Sequence, residues 1–145
     1  IGVRISLEDA GFARGLDLDE SVALCAALAK DGADFLHLSL WNAANQTQKR
    51  PDQHPLPLVR AAVGAVPLIA AGAVWTRDDA NRVLAHGADV VAIGRAAIAN
   101  PSWPRECADA AWQPRRFPLT QAEFSERAVS PRFVEYLRRW KYVTD

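Results

Sequence analysis

The sequence predicts an α/β fold in which parallel strands alternate with helices, amounting to half of an eight-fold barrel. Three observations carry this. Short β-branched apolar runs alternate with stretches whose apolar residues recur at helical spacing. Glycine-containing turns follow directly on the third and fourth apolar runs. The four strand–helix units fill roughly 100 residues, where a complete barrel needs about 250.

The elements read in order as follows. Residues 1–6 (IGVRIS) are strand-like and end in polar residues. Residues 17–21 (DLDES) supply N-cap candidates for a helix whose apolar face is Val22, Leu24, Cys25, Leu28 and Ala29, closed by Gly32. Residues 34–39 (DFLHLS) form the second strand. A polar loop from Trp41 to about Pro57 follows, long for a strand-to-helix connection. Leu58 to Val63 is a short helix closed by Gly64, and residues 67–70 (PLIA) are the third strand, with Gly72 in its turn. Residues 76–79 (TRDD) start a helix with Ala80, Val83 and Leu84 on one face, and His86-Gly87 ends it. Residues 89–93 (DVVAI) are the fourth strand, with Gly94-Arg95 turning into a helix over residues 96–100. Such alternation means parallel strands joined by right-handed crossovers. No Gly-x-Gly-x-x-Gly follows any strand, which argues against an open dinucleotide-binding sheet.

The remainder is proline-, tryptophan- and arginine-rich. Ser130-Pro131 reads as an N-cap with proline at the first helical position, and Phe133, Tyr136, Leu137 and Trp140 recur at helical spacing. The expected organisation is a half-barrel over residues 1–108 and an extension packed on it over residues 109–145. Trp103, Trp112 and Trp140 are expected to be packing anchors.

Composition narrows the function. Of 145 residues, 50% are hydrophobic and 23% charged, with 17 basic and 17 acidic residues. A chain of zero net charge presents no general field for nucleic acid or an anionic membrane, although a local phosphate site needs only a few aimed donors. The longest apolar stretch, Ala61 to Trp75, is broken by Gly64, Pro67 and Gly72 and is short of a membrane span. Two distant cysteines, Cys25 and Cys107, read as reduced thiols without a metal-ligand pattern. No signal peptide is recognisable, and the expected location is cytoplasmic. A chain that starts at Ile1 inside an apolar run and has no methionine reads as a piece of a longer polypeptide.

Two turns carry the candidate chemistry. In barrels the loops after the last two strands commonly bind phosphate through backbone N–H groups and a helix N-terminus. Gly72 and Gly94 would let the backbone approach phosphate oxygens, and Arg95 could add a bidentate pair of hydrogen bonds. Glycines that merely turn the chain, with a solvated Arg95, fit the spacing equally well.

Residues 89–101 (DVVAIGRAAIANP), followed by Trp103-Pro104, resemble the final strand and helix of the old yellow enzyme family. Residues 66–72 (VPLIAAG) resemble the strand before, residues 32–39 (GADFLHLS) the sixth, and residues 1–6 the fifth. The resemblance covers about residues 1–108, and residues 130–140 look like the tail of some bacterial members. It implies the C-terminal half of a (β/α)8 TIM barrel, strands five to eight, with a C-terminal helical extension. It also implies an FMN-dependent oxidoreductase that takes hydride from NAD(P)H and reduces a small electron-poor alkene, an ene-reductase. By the same resemblance Arg4 meets the flavin's pyrimidine edge, and Gly72, Ala73, Gly94 and Arg95 form the FMN-phosphate cradle, with Ala73 where a second glycine is often seen. The family's substrate-binding pair and proton donor belong to the first half-barrel. No residue here is therefore expected to be catalytic, and His37, His54 and His86 read as structural. Trp41, Asn42 and Gln46 sit in the loop after the sixth strand, either facing flavin or substrate or simply solvated.

The implied structural partner is the N-terminal half of the same barrel; self-association into a homo-oligomer stays open. The alternatives are another FMN barrel, such as a dienoyl-CoA reductase or dihydrouridine synthase relative, and a phosphate-binding half-barrel without activity.

Overall fold

The structure, a computed structural model, describes residues 1–9 and 15–144. Four strands, β1 (Gly2–Ile5), β2 (Phe35–Ser39), β3 (Leu68–Ala71) and β4 (Val90–Ala92), form one sheet in the order β1-β2-β3-β4. Every pairing is parallel, with Arg4 opposite His37, His37 opposite Ile69 and Ile69 opposite Val90. Between them run α1 (Leu18–Lys30), α2 (Pro55–Val63) and α3 (Arg77–Ala85). This is the α/β fold with a parallel sheet that the alternation predicts, and it matches part of a barrel.

The chain forms two compact units. The first comprises Ile1–Val74 with Asp78–Ala92, the second Trp75–Arg77 with Ile93–Asp145. In the first, side chains alternate across each strand. Leu36, Leu38, Leu68 and Ala70 are fully buried, and with Cys25, Leu56, Val59 and Val83 they make the core. The opposite face is less covered, with Phe35 and Val90 exposed.

Caps explain the helix limits. Asp17 accepts from the Asp19 and Glu20 N–H groups and starts α1 as expected. The buried stripe of α1 is Leu18, Ser21 and Cys25, which leaves Leu24, one position before Cys25 and about 100° around the helix, half exposed. Helix α2 begins three residues before the expected Leu58. His54 is its N-cap, its ring nitrogen accepting from the Leu56 N–H, and Pro55 needs no donor there.

One side chain gathers the amino ends of β3 and β4. Arg60 on α2 donates from Nε and Nη2 to the Gly87 carbonyl, at 3.1 and 2.9 Å. Its Nη1 donates to Gly64 and Val66 at 2.6 and 2.9 Å, and Nη2 also pairs with Asp89. Asp89 in turn accepts from the Leu68 N–H at 2.8 Å. That N–H first, and Arg60 second, hold the Asp89 carboxyl below the usual carboxylate range.

The second unit holds α4 (Arg95–Ala99), α5 (Trp103–Glu106), α6 (Gln121–Glu126) and α7 (Pro131–Arg138), with a small parallel pair of β5 (Leu119–Thr120) and β6 (Val143–Thr144). Trp103 is buried and donates Nε1–H to the Trp75 carbonyl at 2.6 Å, which ties residues after Ile93 to residues 75–77. Phe117 stacks on Tyr142 and meets Trp75 edge-on. Of the three expected anchors only Trp103 is buried. Trp112 is half-buried, and Trp140 is exposed against Tyr136, because α7 turns Val134 and Leu137 inward instead. Thr120 and Glu123 form a capping box on α6, and Arg115 and that box draw the Glu123 carboxyl down to about 2. Among the described residues no helix is long and apolar enough to cross a membrane.

Arg60→Ala removes the donor of three backbone carbonyls and a carboxylate together. The denaturation midpoint should fall by an amount equal to about 2–4 kcal/mol, and Arg60→Lys should recover only part of it, lacking the planar fork. A midpoint unchanged by Arg60→Ala would refute the clasp.

Candidate functional site

The parallel register brings three polar side chains to the less covered face of the sheet. In β2 the period of two puts His37 and Ser39 opposite in direction to the buried Leu36 and Leu38. Arg4, beside His37 in the ladder, donates from Nη2 to the Ser39 hydroxyl at 2.6 Å. A guanidinium carries five N–H donors, and this is the one that Arg4 uses among the described residues.

His37 Nε2 is buried and, among the described residues, the one such side-chain atom without a hydrogen-bond partner. Burial first, and the charge of Arg4 second, push the His37 pKa below the ordinary histidine value. A neutral imidazole therefore stands next to an exposed cation, with a polar atom awaiting a partner. Neither His37 nor Ser39 was singled out for this role from the sequence. The alternation of residues 35–39 was the available signal, since every second position there is apolar and buried.

The turn after β3 is held by backbone. Leu40 N–H donates to Ala71 O at 2.8 Å, and Ala43 N–H to Gly72 O at 2.9 Å. A Cβ on Gly72 would stand 2.7 Å from Leu40 O and 2.8 Å from Ala43 N. Glycine at this position is thus demanded by the chain's own loop, a reason beyond room for a ligand. Ala73 adopts φ 51°, the left-handed conformation that a glycine would take without strain.

In the second unit, Gly94 precedes α4, and no side chain caps that helix. A Cβ built on Gly94 meets nothing within 4 Å, so space lies open there. Arg95 is exposed, and among the described residues its Nη1 donates to the Tyr142 hydroxyl at 3.5 Å.

The loop after β2 borders a cleft at the carboxyl ends of β1 and β2, lined by Glu8, Ser39, Trp41, Asn42 and Gln46 among others. Trp41 is 82% exposed, and Asn42 accepts from the Ala44 N–H. Glu8 accepts from the Gln48 and Lys49 N–H groups, at 2.9 and 3.0 Å, and pins this loop. His54 and His86 stack on each other. Among the described residues no group of side chains could hold a metal ion.

A parallel strand–helix sheet with glycine turns at the carboxyl ends of its strands is the arrangement of part of a (β/α) barrel. Comparison with known proteins gives the family: the profile described as dihydrouridine synthase (Dus) matches residues 13–137, and the chain belongs to this family of flavin-enzyme barrels. Its likeness extends to old yellow enzymes. The chain is 34% identical over 106 residues to the probable NADH-dependent flavin oxidoreductase YqiG of Bacillus subtilis, covering 71% of this chain and 28% of that protein. It is 32% identical over 109 residues to the NADH:acrylate oxidoreductase of Vibrio harveyi, covering 71% and 11%. The old yellow enzyme homologue NCR of Zymomonas mobilis shares the fold, with a TM-score of 0.61 at 23% identity over 85% of this chain and 34% of that one. A variant of NCR aligns at 25% identity with a TM-score of 0.59, over 79% and 36%. The chain thus spans about a third or less of each of these relatives.

The two residues of the β3 turn should respond oppositely to exchange. Gly72→Ala forces a Cβ against backbone and should cost about 1–3 kcal/mol. Ala73→Gly removes about 1–2 kcal/mol of left-handed strain against about 0.4–1 kcal/mol of added chain entropy, and should be neutral or slightly stabilising. Urea midpoints of both variants in the full-length polypeptide check this, and the reverse order would contradict the turn geometry.

Proposed function

We propose that this chain forms the flavin-edge and phosphate-binding part of an FMN-dependent NAD(P)H oxidoreductase that reduces electron-poor alkenes. Arg4 is the observation that carries the reading: an exposed guanidinium beside a neutral histidine, with one donor spent on Ser39. Two relatives are named for NADH-dependent reactions, and acrylate is itself an electron-poor alkene. When bound, FMN would supply the hydride relay between the reduced nicotinamide and the alkene.

The chain's own residues then divide the work. Arg4 holds the pyrimidine edge and offsets negative charge that gathers there. Gly72, Ala73, Gly94 and Arg95 serve the phosphate, the open space at Gly94 admitting oxygens and Arg95 adding a charge-assisted contact. None of the residues described here is assigned a catalytic role. The rest of the barrel is the structural partner and covers the face that bears Phe35 and Val90, and the expected location is cytoplasmic. The family profile favours a second reading, reduction of uridine in RNA. The balanced charge of the chain speaks against it.

The test is to purify the full-length polypeptide containing this chain. It should be yellow with bound FMN, and it should oxidise NADH or NADPH in the presence of an activated alkene. Turnover on a uridine-containing RNA alone would transfer the assignment to the second reading. Arg95→Ala should weaken FMN binding by about 1.5–3 kcal/mol, and retention equal to wild type on dialysis would remove Arg95 from the site. Arg4→Lys keeps the charge but loses the fork, so it should slow flavin reduction and lower the midpoint potential more than it weakens FMN. For a two-electron couple, about 1.4 kcal/mol appears as about 30 mV. An unchanged potential at full FMN occupancy would make Arg4 a structural arginine.

A further inference from the structure

His54 lies in the loop between β2 and α2, and its hydrogen bonds lead to the β3 turn. The residue is 7% exposed. Its Nδ1 accepts from the Leu56 N–H at 3.2 Å, which caps α2. An acceptor at Nδ1 fixes the ring proton on Nε2, and Nε2 lies 2.9 Å from the Ala43 carbonyl, so Nε2–H donates to it. Ala43, itself buried, donates its N–H to Gly72 O at 2.9 Å. The ring is also stacked on His86 at 3.8 Å between centroids and 8° between planes.

Gly72 offers no side chain by which its turn could be held, and Ala73 sits in a strained conformation. The turn therefore depends on backbone partners, and Ala43 is one of them. Ala43 belongs to a long connection, whose ordering costs entropy unless something fixes it.

We propose that His54 is a positioning residue that latches Ala43 against Gly72 and so holds the Gly72–Ala73 turn in the shape that receives the phosphate. This rests on the functional reading above, and extends it to a residue outside the cradle.

The latch works with a neutral ring. Protonation at Nδ1 would turn the cap's acceptor into a donor facing the Leu56 N–H, at the positive end of the α2 dipole. The titratable group facing the ring from α3's end is His86; the loop presents the Ala43 carbonyl; the cation of α2, Arg60, is engaged with Gly64, Val66, Gly87 and Asp89. Burial first lowers the His54 pKa, the Ala43 carbonyl raises it, and His86 lowers it further, with a net fall below the ordinary 6.5. A histidine whose folded pKa is depressed stabilises the latched form fully above the unfolded value. That contribution is lost as pH falls from about 6.5 toward the lower folded value.

The experiment uses the full-length, FMN-loaded polypeptide and the variant His54→Asn, which can still cap α2 but is too short to reach Ala43. Dissociation constants are measured for FMN and for riboflavin, which lacks the phosphate, with amide exchange at Ala43 alongside. Loss of one buried hydrogen bond should weaken FMN by about tenfold and raise Ala43 exchange by about as much, while riboflavin affinity holds. Lowering the pH from about 8 to about 5.5 should close the gap between wild type and variant, the variant serving as the control for titration of the phosphate itself. Equal FMN affinity and Ala43 protection in wild type and His54→Asn, with Arg95→Ala still weakening FMN, overturns the latch alone. A polypeptide that binds no flavin overturns the functional reading and the latch with it. Should His54→Asn fail to accumulate, wild-type Ala43 exchange normalised to its intrinsic rate decides. A rise below about pH 6.5 supports the latch, and flat protection overturns it.

Discussion

Register in the parallel ladder is the constraint on which the candidate site depends. Leu36, Leu38, Leu68 and Ala70 are buried completely, and a slip of one residue in β2 would exchange Leu36 and Leu38 with His37 and Ser39. The apolar surface so exposed, and the imidazole so buried among aliphatic groups, both oppose that slip. The same force that builds the core therefore stands His37 and Ser39 beside Arg4. Arg4 has its Ser39 contact because it stands opposite His37, and Ser39 is the next residue on that face of β2.

The two ends of the strands are held by different means. At the amino ends of β3 and β4, Arg60 and Asp89 satisfy carbonyls and an N–H with charged side chains, a rigid arrangement with no donor aimed outward. At the carboxyl end of β3, backbone meets backbone: Leu40 on Ala71 and Ala43 on Gly72. The cost is strain at Ala73 and dependence on a distant clamp, and His54 fits that need.

Much of this site was legible in the chain. The four βα units, the Asp17 cap, the glycine turns and Arg4 at a strand end all follow from local pattern, and residues 1–6, 32–39, 66–72 and 89–101 carry the family likeness together. His54 was not legible as a cap. Its neighbours Pro51, Pro55 and Pro57 read as loop, and Pro55 proved to be the first residue of the helix. Trp140 shows the converse. Its spacing with Phe133, Tyr136 and Leu137 is helical, but the spacing does not say which face of α7 turns inward, and Val134 with Leu137 won.

By itself the sequence determined the kind of fold, the order of its elements and the chemical types available at each strand end. Periodicity and caps are local properties, and apolar alternation has one low-energy reading. Tertiary structure alone decided which of these groups meet. The pairing of Arg4 with Ser39 spans 35 residues, the Arg60 bond to Asp89 spans 29, and the His54 link reaches Gly72 only through Ala43. Such contacts depend on how strands and loops lie in space, and a hydrogen bond between distant residues leaves no mark in the spacing of either.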